Sequence, residues 1–276
     1  MSTSFRPTHT NLRITQPRGT VVSLDRDMRT DNVMHGMVGK ETVVVPSQQS
    51  SKGPSTDVQL MQHTLELPPR PDRRLVMHLA PDSPRAAAFR VMRHHLLEHG
   101  KPQVIVVASP NRGEGKTTAA MNLALALSEC GRAKVLLLEA HLRRPQIAQM
   151  LGFVPPICLT QQLQDHRANA LAPWTFVEIP EMWLHVAAID PRTERSALLD
   201  GPAFGIAIER LRMAGYDHIV VDAPSVLGSA EVNLLAEPAD AVVLSLRAKH
   251  STVRDVKASI EQLGEAKIAG TVLIEK

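Results

Sequence analysis

Apolar and polar positions divide the chain into two parts. From residue 1 to about residue 75, Ser, Thr, Gln, Pro and scattered charges predominate, and the apolar stretches are short. Because so few apolar groups are available for burial, we predict that residues 1–75 are largely disordered. An ordered domain is expected over residues 76–276.

Short, continuously apolar runs in the second part have the length of buried strands. They are QVIVVAS at 103–109, KVLLLEA at 134–140, LHVAAI at 184–189, DHIVVDAP at 217–224, DAVVLSLRA at 240–248 and IAGTVLI at 268–274. Segments with helical character alternate with them, near 116–131, 201–214, 229–237 and 251–264. Apolar strands that alternate with helices are typical of a parallel sheet covered on both faces. We therefore predict an α/β fold with a mostly parallel sheet.

One more helix is predicted ahead of the first apolar strand. The segment from Ser83 to His99 places Phe89, Met92 and Leu96 on one helical stripe. Ser83 is of the residue type that caps a helix N-terminus. This helix is expected to lead into the domain.

Charge and cysteine content indicate which kinds of partner and which cellular compartment to expect. Lys and Arg outnumber Asp and Glu by 10 to 7 in residues 1–75, whereas both counts are 21 in the remainder. A basic nucleic-acid face is therefore not indicated. Cys130 and Cys158 lack the spacing of a disulfide framework or a metal site, and no apolar run reaches the roughly 18 residues of a membrane span. We expect a cytoplasmic protein that reaches a membrane only through a partner.

The stretch GEGKTT lies between a predicted strand and a predicted helix, where phosphate-binding loops occur. Its glycines allow successive N–H groups to turn toward phosphate oxygens, Lys116 is placed to contact the β- and γ-phosphates, and the Thr117 hydroxyl is placed to bind Mg²⁺. The full pattern GxxxxGK[ST] fails at its first position, Pro110. An ordinary glycine turn with a solvated lysine is the alternative. The predicted contacts to ATP and Mg²⁺ come from Gly113, Glu114, Gly115, Lys116, Thr117 and Thr118.

An acidic residue follows the apolar core of a neighbouring predicted strand. DHIVVDAPS carries Asp222 directly after three apolar residues, Ile219, Val220 and Val221. A carboxylate at this place holds Mg²⁺ through water in phosphate-loop enzymes. The alternative for Asp222 is a turn or helix-start aspartate.

Three motifs in order resemble one family. SPNRGEGKTTAAMNLA, VLLLEAHLRRP at 135–145 and YDHIVVDAPSVL at 216–227 are similar to the motifs of the bacterial tyrosine kinases of capsule and exopolysaccharide synthesis (BY-kinases), within the MinD/ParA-like P-loop superfamily. The resemblance covers about residues 80–274. It implies an ATP-dependent protein-tyrosine kinase. It also implies activation by a membrane polysaccharide co-polymerase.

The resemblance implies catalytic roles for Lys116, Glu139, His141 and Asp222, and metal binding by Thr117, Glu139 and Asp222. Two family aspartates are replaced here, by Glu139 and His141. Glutamate carries an extra methylene, and a neutral imidazole lacks the anionic oxygen that Mg²⁺ prefers. His141 is then either a proton acceptor or a surface residue. For Arg143 and Arg144 three alternatives stay open: contacts to phosphate, contacts to a partner's carboxylate, or a place at a solvated helix start.

Two further departures bear on catalysis and assembly. Tyr216 is the one tyrosine of the given sequence, so we do not expect the family's C-terminal tyrosine cluster, and we expect a kinase of this sequence to act on another protein. Ala87 replaces the glutamate of the family's ExxRxxR motif, which leaves Arg90 and Arg93 and makes a family-like ring doubtful. A catalytically impaired, ATP-gated regulator is therefore an alternative to a kinase. A partitioning ATPase of the MinD or ParA kind is a second, although Asn111 occupies the place of its signature lysine.

Overall fold

The structure is a computed structural model and describes residues 21–24, 45–47, 58–66, 71–169, 172–192 and 200–275. Within these residues ten strands form one sheet, in the order β1-β10-β9-β4-β8-β5-β7-β6-β3-β2. The strands are β1 Val21–Leu24, β2 Val45–Ser47, β3 Leu60–Thr64, β4 Val104–Ser109, β5 Val135–Glu139, β6 Trp174–Ile179, β7 Leu184–Ala187, β8 His218–Ser225, β9 Ala241–Arg247 and β10 Ile268–Ile274. The helices are α1 Val76–Leu79, α2 Pro84–Glu98, α3 Lys116–Ser128, α4 Ile147–Leu151, α5 Leu159–Ala168, α6 Gly201–Met213, α7 Glu231–Ala236 and α8 Val253–Leu263.

The sheet is mostly parallel, as the apolar runs predict. Among the described strands, only the pairs β2–β3 and β6–β7 are antiparallel. Alternate residues of the central strands enter two separate cores: Ile105 and Val107 pack beneath α1 to α4, whereas Val104 and Val106 pack beneath α5 to α8. Burial on both faces explains why these strands are apolar throughout. The predicted α/β fold is confirmed.

Helix α2 begins as predicted and is held to α3 by an ionic cluster. The Ser83 hydroxyl accepts a hydrogen bond from the Ala86 amide, and Phe89, Met92 and Leu96 are buried. On the same helix, Arg90 and Arg93 both donate to the carboxylate of Glu129, just beyond α3. The two arginines are therefore paired within their own chain.

Part of the segment predicted to be disordered belongs to the sheet. Strand β3 pairs in parallel with β6, and Leu65 and Leu75 are fully buried. The two short strands β1 and β2 also fall before residue 75. The predicted boundary at residue 75 thus differs from the structure, because β3 is stabilised by pairing with a distant strand, which local composition does not reveal. The rest of residues 1–57, and residues 67–70, lie outside the described part of the chain.

No helix in the described ranges combines the length and the apolar character that crossing a membrane requires.

Candidate nucleotide-binding site

Three adjacent strands bring the predicted site residues together. The order β4-β8-β5 places the loop after β4 beside Asp222 of β8 and Glu139 of β5. Asp222 lies opposite Val107 on one side and opposite Glu139 on the other. Ligands of open parallel sheets bind at the carboxyl ends of such strands. The predicted phosphate loop and the predicted carboxylate therefore share one edge of the sheet.

The loop from β4 to α3 depends on glycine at two positions. Gly113 and Gly115 have φ angles of 80° and 81°, in the left-handed region that favours glycine. A Cβ atom on Gly115 would also collide with the Cδ1 atom of Ile274 at the end of β10. The first amides of α3 thus project from a compact turn, which is the geometry that binds phosphate at a helix N-terminus.

The side chain of Glu114 stabilises this loop from inside the protein. It is fully buried, and its carboxylate accepts hydrogen bonds from the Asn111 amide at 2.7 Å and the Ser251 hydroxyl at 2.6 Å. The Glu114 carbonyl accepts a further bond from the Ser245 hydroxyl. Glu114 therefore ties the loop to β9 and to the connection between β9 and α8. The Glu114 carboxylate is therefore engaged within the protein. The ligand contact predicted for Glu114 stays a prediction.

Lys116 opens helix α3 and is buried, as is the neighbouring Thr117. Burial lowers the pKa of Lys116, the negative charge of Asp222 opposes that effect, and the positive charges of Arg112 and Arg144 add to it. The ammonium group therefore lies among cations, where an anionic ligand would relieve the repulsion. Thr118, the next residue, is partly buried.

The carboxylate of Asp222 is completely buried beside Lys116 and Thr117. Neither of its oxygens meets hydrogen-bond geometry with any described residue, although Lys116 and the Thr117 hydroxyl are near enough to lower its pKa. Complete burial outweighs both and raises the pKa of Asp222 to about 6. Buried polar atoms are normally satisfied by protein, water or an ion. Asp222 and Thr117 together therefore fit a hydrated Mg²⁺ ion, the predicted cofactor.

Glu139 lies beside Asp222, but its oxygens are occupied. One accepts hydrogen bonds from the amides of Gln146 and Ile147, at the start of α4, and the other accepts from the amide of Ile189 at 2.9 Å. Burial raises the pKa of Glu139 to about 7, although these amides favour the charged form. The structure therefore shows Glu139 linking two loops. Its predicted metal and catalytic roles stay predictions.

His141 is the other replaced position, and it lies near the loop. The side chain is 9% exposed, and its Nδ1 atom has no hydrogen-bond partner among the described residues. Burial, together with the charges of Lys116, Arg112 and Arg144, lowers the pKa of His141 to about 3. The imidazole is therefore neutral at physiological pH and brings no negative charge to the site.

Arg143 and Arg144, which follow β5, have different neighbours. Arg143 approaches Glu231 of α7, with 3.9 Å between Nη2 and Oε1. Arg144 instead contributes its charge at Lys116 and His141. Sequence reasoning left these two residues undecided, and the structure brings Arg144 toward the loop. It also brings Arg112 there, a position that the sequence marked only as a departure from the family pattern.

Tyr216 lies away from this edge of the sheet, immediately before β8. It is 2% exposed, and its hydroxyl group is 2.8 Å from Nδ1 of His185. Burial raises the pKa of Tyr216. The hydroxyl is thus enclosed in the folded domain and is not presented to another molecule.

Comparison with known proteins assigns the chain to a family. The family model named ParA, described as an NUBPL iron-transfer P-loop NTPase, matches residues 101–275. The chain belongs to the ParA family of P-loop NTPases. The matched range contains the loop, Glu139, His141 and Asp222.

The chain is also similar to a transport protein of succinoglycan biosynthesis and to a tyrosine-protein kinase. It is 28% identical over 207 residues to the succinoglycan biosynthesis transport protein ExoP of Rhizobium meliloti, covering 70% of this chain and 25% of ExoP. It is 24% identical over 209 residues to the tyrosine-protein kinase YwqD of Bacillus subtilis, covering 74% of this chain and 86% of YwqD. The crystal structure of the chimerical protein CapA2B2 superposes with a TM-score of 0.64 at 25% identity, covering 75% of this chain and 94% of that one.

These similarities confirm the resemblance to the BY-kinases that the three motifs predict. The chain spans only 25% to 28% of the length of the longer relatives. The match therefore covers only a part of those proteins.

Proposed function

We propose that this chain binds ATP through the loop at 113–118 and acts as an ATP-gated regulator of exopolysaccharide or capsule production. The observation that carries the nucleotide part is the buried carboxylate of Asp222, which lies beside Lys116 and Thr117 at the end of a glycine-dependent loop. Its oxygens meet hydrogen-bond geometry with no residue that the structure describes. The polysaccharide part rests on the similarity to the succinoglycan biosynthesis transport protein ExoP.

A regulatory role is favoured over phosphate transfer by the two replaced positions. In a phosphotransferase, groups near the phosphates must be placed within about 1 Å, because a misplacement of that size costs roughly a hundredfold in rate. Here both oxygens of Glu139 accept backbone hydrogen bonds, and His141 is neutral. When Mg²⁺ is bound, Thr117 and Asp222 would hold it, and the ion would add positive charge beside the phosphates.

Phosphate transfer to tyrosine is the second candidate, and the names of the relatives support it. Tyr216 is buried and is not the acceptor in that case, so the proposed acceptor is a tyrosine of another protein. In both candidates the proposed partner is a membrane polysaccharide co-polymerase, which would recruit the chain from the cytoplasm to the inner face of the membrane. This partner follows from the family resemblance.

Calorimetry with Mg·ATP tests the nucleotide part. We expect saturable heat for the full chain and none for Lys116→Ala, because the ammonium group is the buried cation at the loop. Arg132→Ala is the matched control: it removes an exposed cation at the other end of α3, about 20 Å away for 13 residues at 1.5 Å each. Absence of heat with the folded, unmodified chain would refute nucleotide binding.

ATP turnover separates the two roles. The regulator hypothesis predicts that the chain hydrolyses ATP and phosphorylates a tyrosine-containing copolymer no faster than Lys116→Ala. Replacing Glu139 and His141 by aspartate together should then raise turnover, because two carboxylates would face the phosphates. Phosphorylation that is lost in Lys116→Ala would instead establish the kinase.

A further inference from the structure

Hydrogen bonds to the carbonyl groups of the phosphate loop orient its amides. The Glu114 carbonyl accepts a bond from the hydroxyl of the buried Ser245 at 2.6 Å, and the Gly113 carbonyl accepts one from Arg247. In a trans peptide the carbonyl and the next amide point in opposite directions, and no described peptide bond is cis. The next amides, of Gly115 and Glu114, therefore point away from these donors. Neither finds an acceptor among the described residues, so both can donate to phosphate oxygens.

The Glu114 side chain fastens the same loop from its buried side. Its two carboxylate oxygens accept hydrogen bonds from the Asn111 amide at 2.7 Å and from the Ser251 hydroxyl at 2.6 Å. The Ser251 hydroxyl in turn accepts a bond from the Arg247 amide at 2.9 Å. The Asn111 side chain adds a bond to the carboxylate of Asp255, on α8, at 3.0 Å. The carboxylate of Glu114 thus joins the start of the loop to the connection between β9 and α8.

A buried carboxylate is, by its charge, an unfavourable neighbour for a polyphosphate. Glu114 lies within the loop itself, two residues before Lys116, and like charges at such short range repel each other. The charge of Glu114 therefore works against an anionic ligand. The hydrogen bonds that Glu114 accepts work for the ligand, because a loop already held in its binding conformation loses less conformational entropy when the ligand binds.

We infer, on the basis of the proposed nucleotide binding, that Glu114 is a positioning residue for the phosphates. Its side chain acts through Asn111 and Ser251 and holds the loop in the conformation in which the amides of Glu114 and Gly115 face the ligand. Its negative charge weakens binding, whereas its hydrogen bonds strengthen binding. Because the two effects have opposite signs, substitutions that remove one and keep the other distinguish them.

Glu114→Gln in the full chain tests the effect of the charge. The new amide can keep both contacts, because its oxygen can accept from the Asn111 amide and its nitrogen can donate to the Ser251 hydroxyl. Without the repulsion, the affinity for Mg·ATP in calorimetry should rise by about threefold or more. The urea midpoint should fall, because neutral hydrogen bonds replace charge-assisted ones. A purely structural role would lower affinity and stability together, and that result overturns the inference.

Glu114→Ala tests the effect of the hydrogen bonds. The alanine and glutamine variants both lack the charge, so the ratio of their affinities for Mg·ATP measures the two contacts alone. We expect Glu114→Ala to bind about tenfold or more weakly than Glu114→Gln, because the ligand must then order the loop itself. Equal affinities of the two variants overturn the inference.

Ser251 tests the same contact from its other side and serves also if Glu114→Ala does not fold. Ser251→Ala removes one donor and keeps the charge of Glu114, so the affinity for Mg·ATP should fall by about threefold or more. Ser251→Thr keeps the hydroxyl group and should restore the affinity of the unmodified chain. If Ser251→Ala binds as tightly as the unmodified chain, the contact does not position the loop and the inference fails.

Glu181→Gln is the matched control for loss of a carboxylate. Glu181 is exposed and lies just before β7, at the opposite edge of the sheet from the loop that follows β4. This variant should leave affinity and urea midpoint unchanged. Absence of heat for the folded, unmodified chain refutes the proposed function together with the inference. Binding by the unmodified chain, combined with weaker binding by Glu114→Gln, overturns the inference alone.

Discussion

At the scale of single residues, His185 should make stability depend on pH. It is buried in β7, its Nδ1 atom is 2.8 Å from the Tyr216 hydroxyl, and the charged groups around it are Lys134 and Glu178, the residue opposite on β6. Burial, with the positive charge of Lys134, lowers the pKa of His185 from 6.5 to about 4. Between these two values the unfolded chain binds a proton that the folded chain does not. Stability is therefore lost as pH falls from about 6.5 to about 4.

Replacing His185 by glutamine should remove that loss while leaving a polar partner for Tyr216. Urea unfolding at pH 7 and pH 4.5 measures it. The free energy of unfolding should fall between these pH values by about 2–3 kcal/mol less in His185→Gln than in the unmodified chain, at 1.36 kcal/mol for each unit of pKa. His94→Gln, an exposed histidine on α2, is the control and should leave the difference unchanged. Equal pH dependence in all three chains would contradict the prediction.

The two loop glycines make a matched pair for a second prediction at this scale. Gly113 and Gly115 share the same φ angle, but a Cβ atom meets nothing within 4 Å at Gly113, whereas at Gly115 it collides with Ile274. Gly113→Ala should cost about 1 kcal/mol, the penalty of a left-handed conformation for an L-residue. Gly115→Ala should cost up to about 1 kcal/mol more, because the terminal methyl group of the partly exposed Ile274 must move away from the new Cβ atom. Chemical denaturation measures both. If Ile274→Ala fails to recover part of the loss in Gly115→Ala, the collision is not its cause.

At the scale of elements, the sequence predicts the central strands because burial on both faces makes them apolar throughout. Strand β6 was not predicted, since Thr175 and Glu178 interrupt its apolar character and its partner β7 runs antiparallel. Helix α4, with five residues, is too short to show a helical period. The loop and Asp222 follow from local spacing. The orientation of Glu139 does not, because it is determined by amides of the loops after β5 and after β7.

The contact between α2 and α3 supports a further prediction at this scale. The Glu129 carboxylate accepts hydrogen bonds from Arg90 and Arg93, and these contacts lower its pKa. Glu129→Ala should destabilise the chain by about 1–2 kcal/mol, because two charged donors lose their acceptor in a partly exposed cluster. Glu209→Ala on α6, which removes the exposed partner of Arg212, should change stability by less than about 0.5 kcal/mol. Equal effects of the two variants on the denaturation midpoint would argue against a special role for Glu129.

At the scale of the whole molecule, the nucleotide loop is built from distant parts of the chain. Ser245 and Ser251 bind Glu114 from the region of β9, and Ile274 of β10 packs against Gly115. The conformation of the loop therefore depends on β9 and β10 as well as on β4. Local motifs could predict which residues form the loop, but they could not predict this support, because it comes from strands more than 100 residues later.

The sheet also defines where the folded domain begins. A chain that starts at residue 76, the boundary predicted from composition, lacks β3 and the fully buried Leu65 and Leu75. It also lacks the Arg74 carbonyl that accepts a hydrogen bond from Asn122 of α3. A chain that starts at residue 58 keeps all of these contacts. Burial of each leucine contributes about 1.5–3 kcal/mol, so the shorter chain should be less stable by about 3–6 kcal/mol.

Urea denaturation of the two truncated chains measures that difference directly, because neither contains the residues before 58. The substitutions Leu65→Ala and Leu75→Ala in the longer chain provide the controls and should each cost about 2–5 kcal/mol as buried leucines. Nucleotide binding by the same two chains shows whether the loss of stability also weakens binding at the loop that precedes α3. If the chain that starts at residue 76 unfolds at the same urea concentration as the one that starts at residue 58, β3 is not an integral strand of the domain.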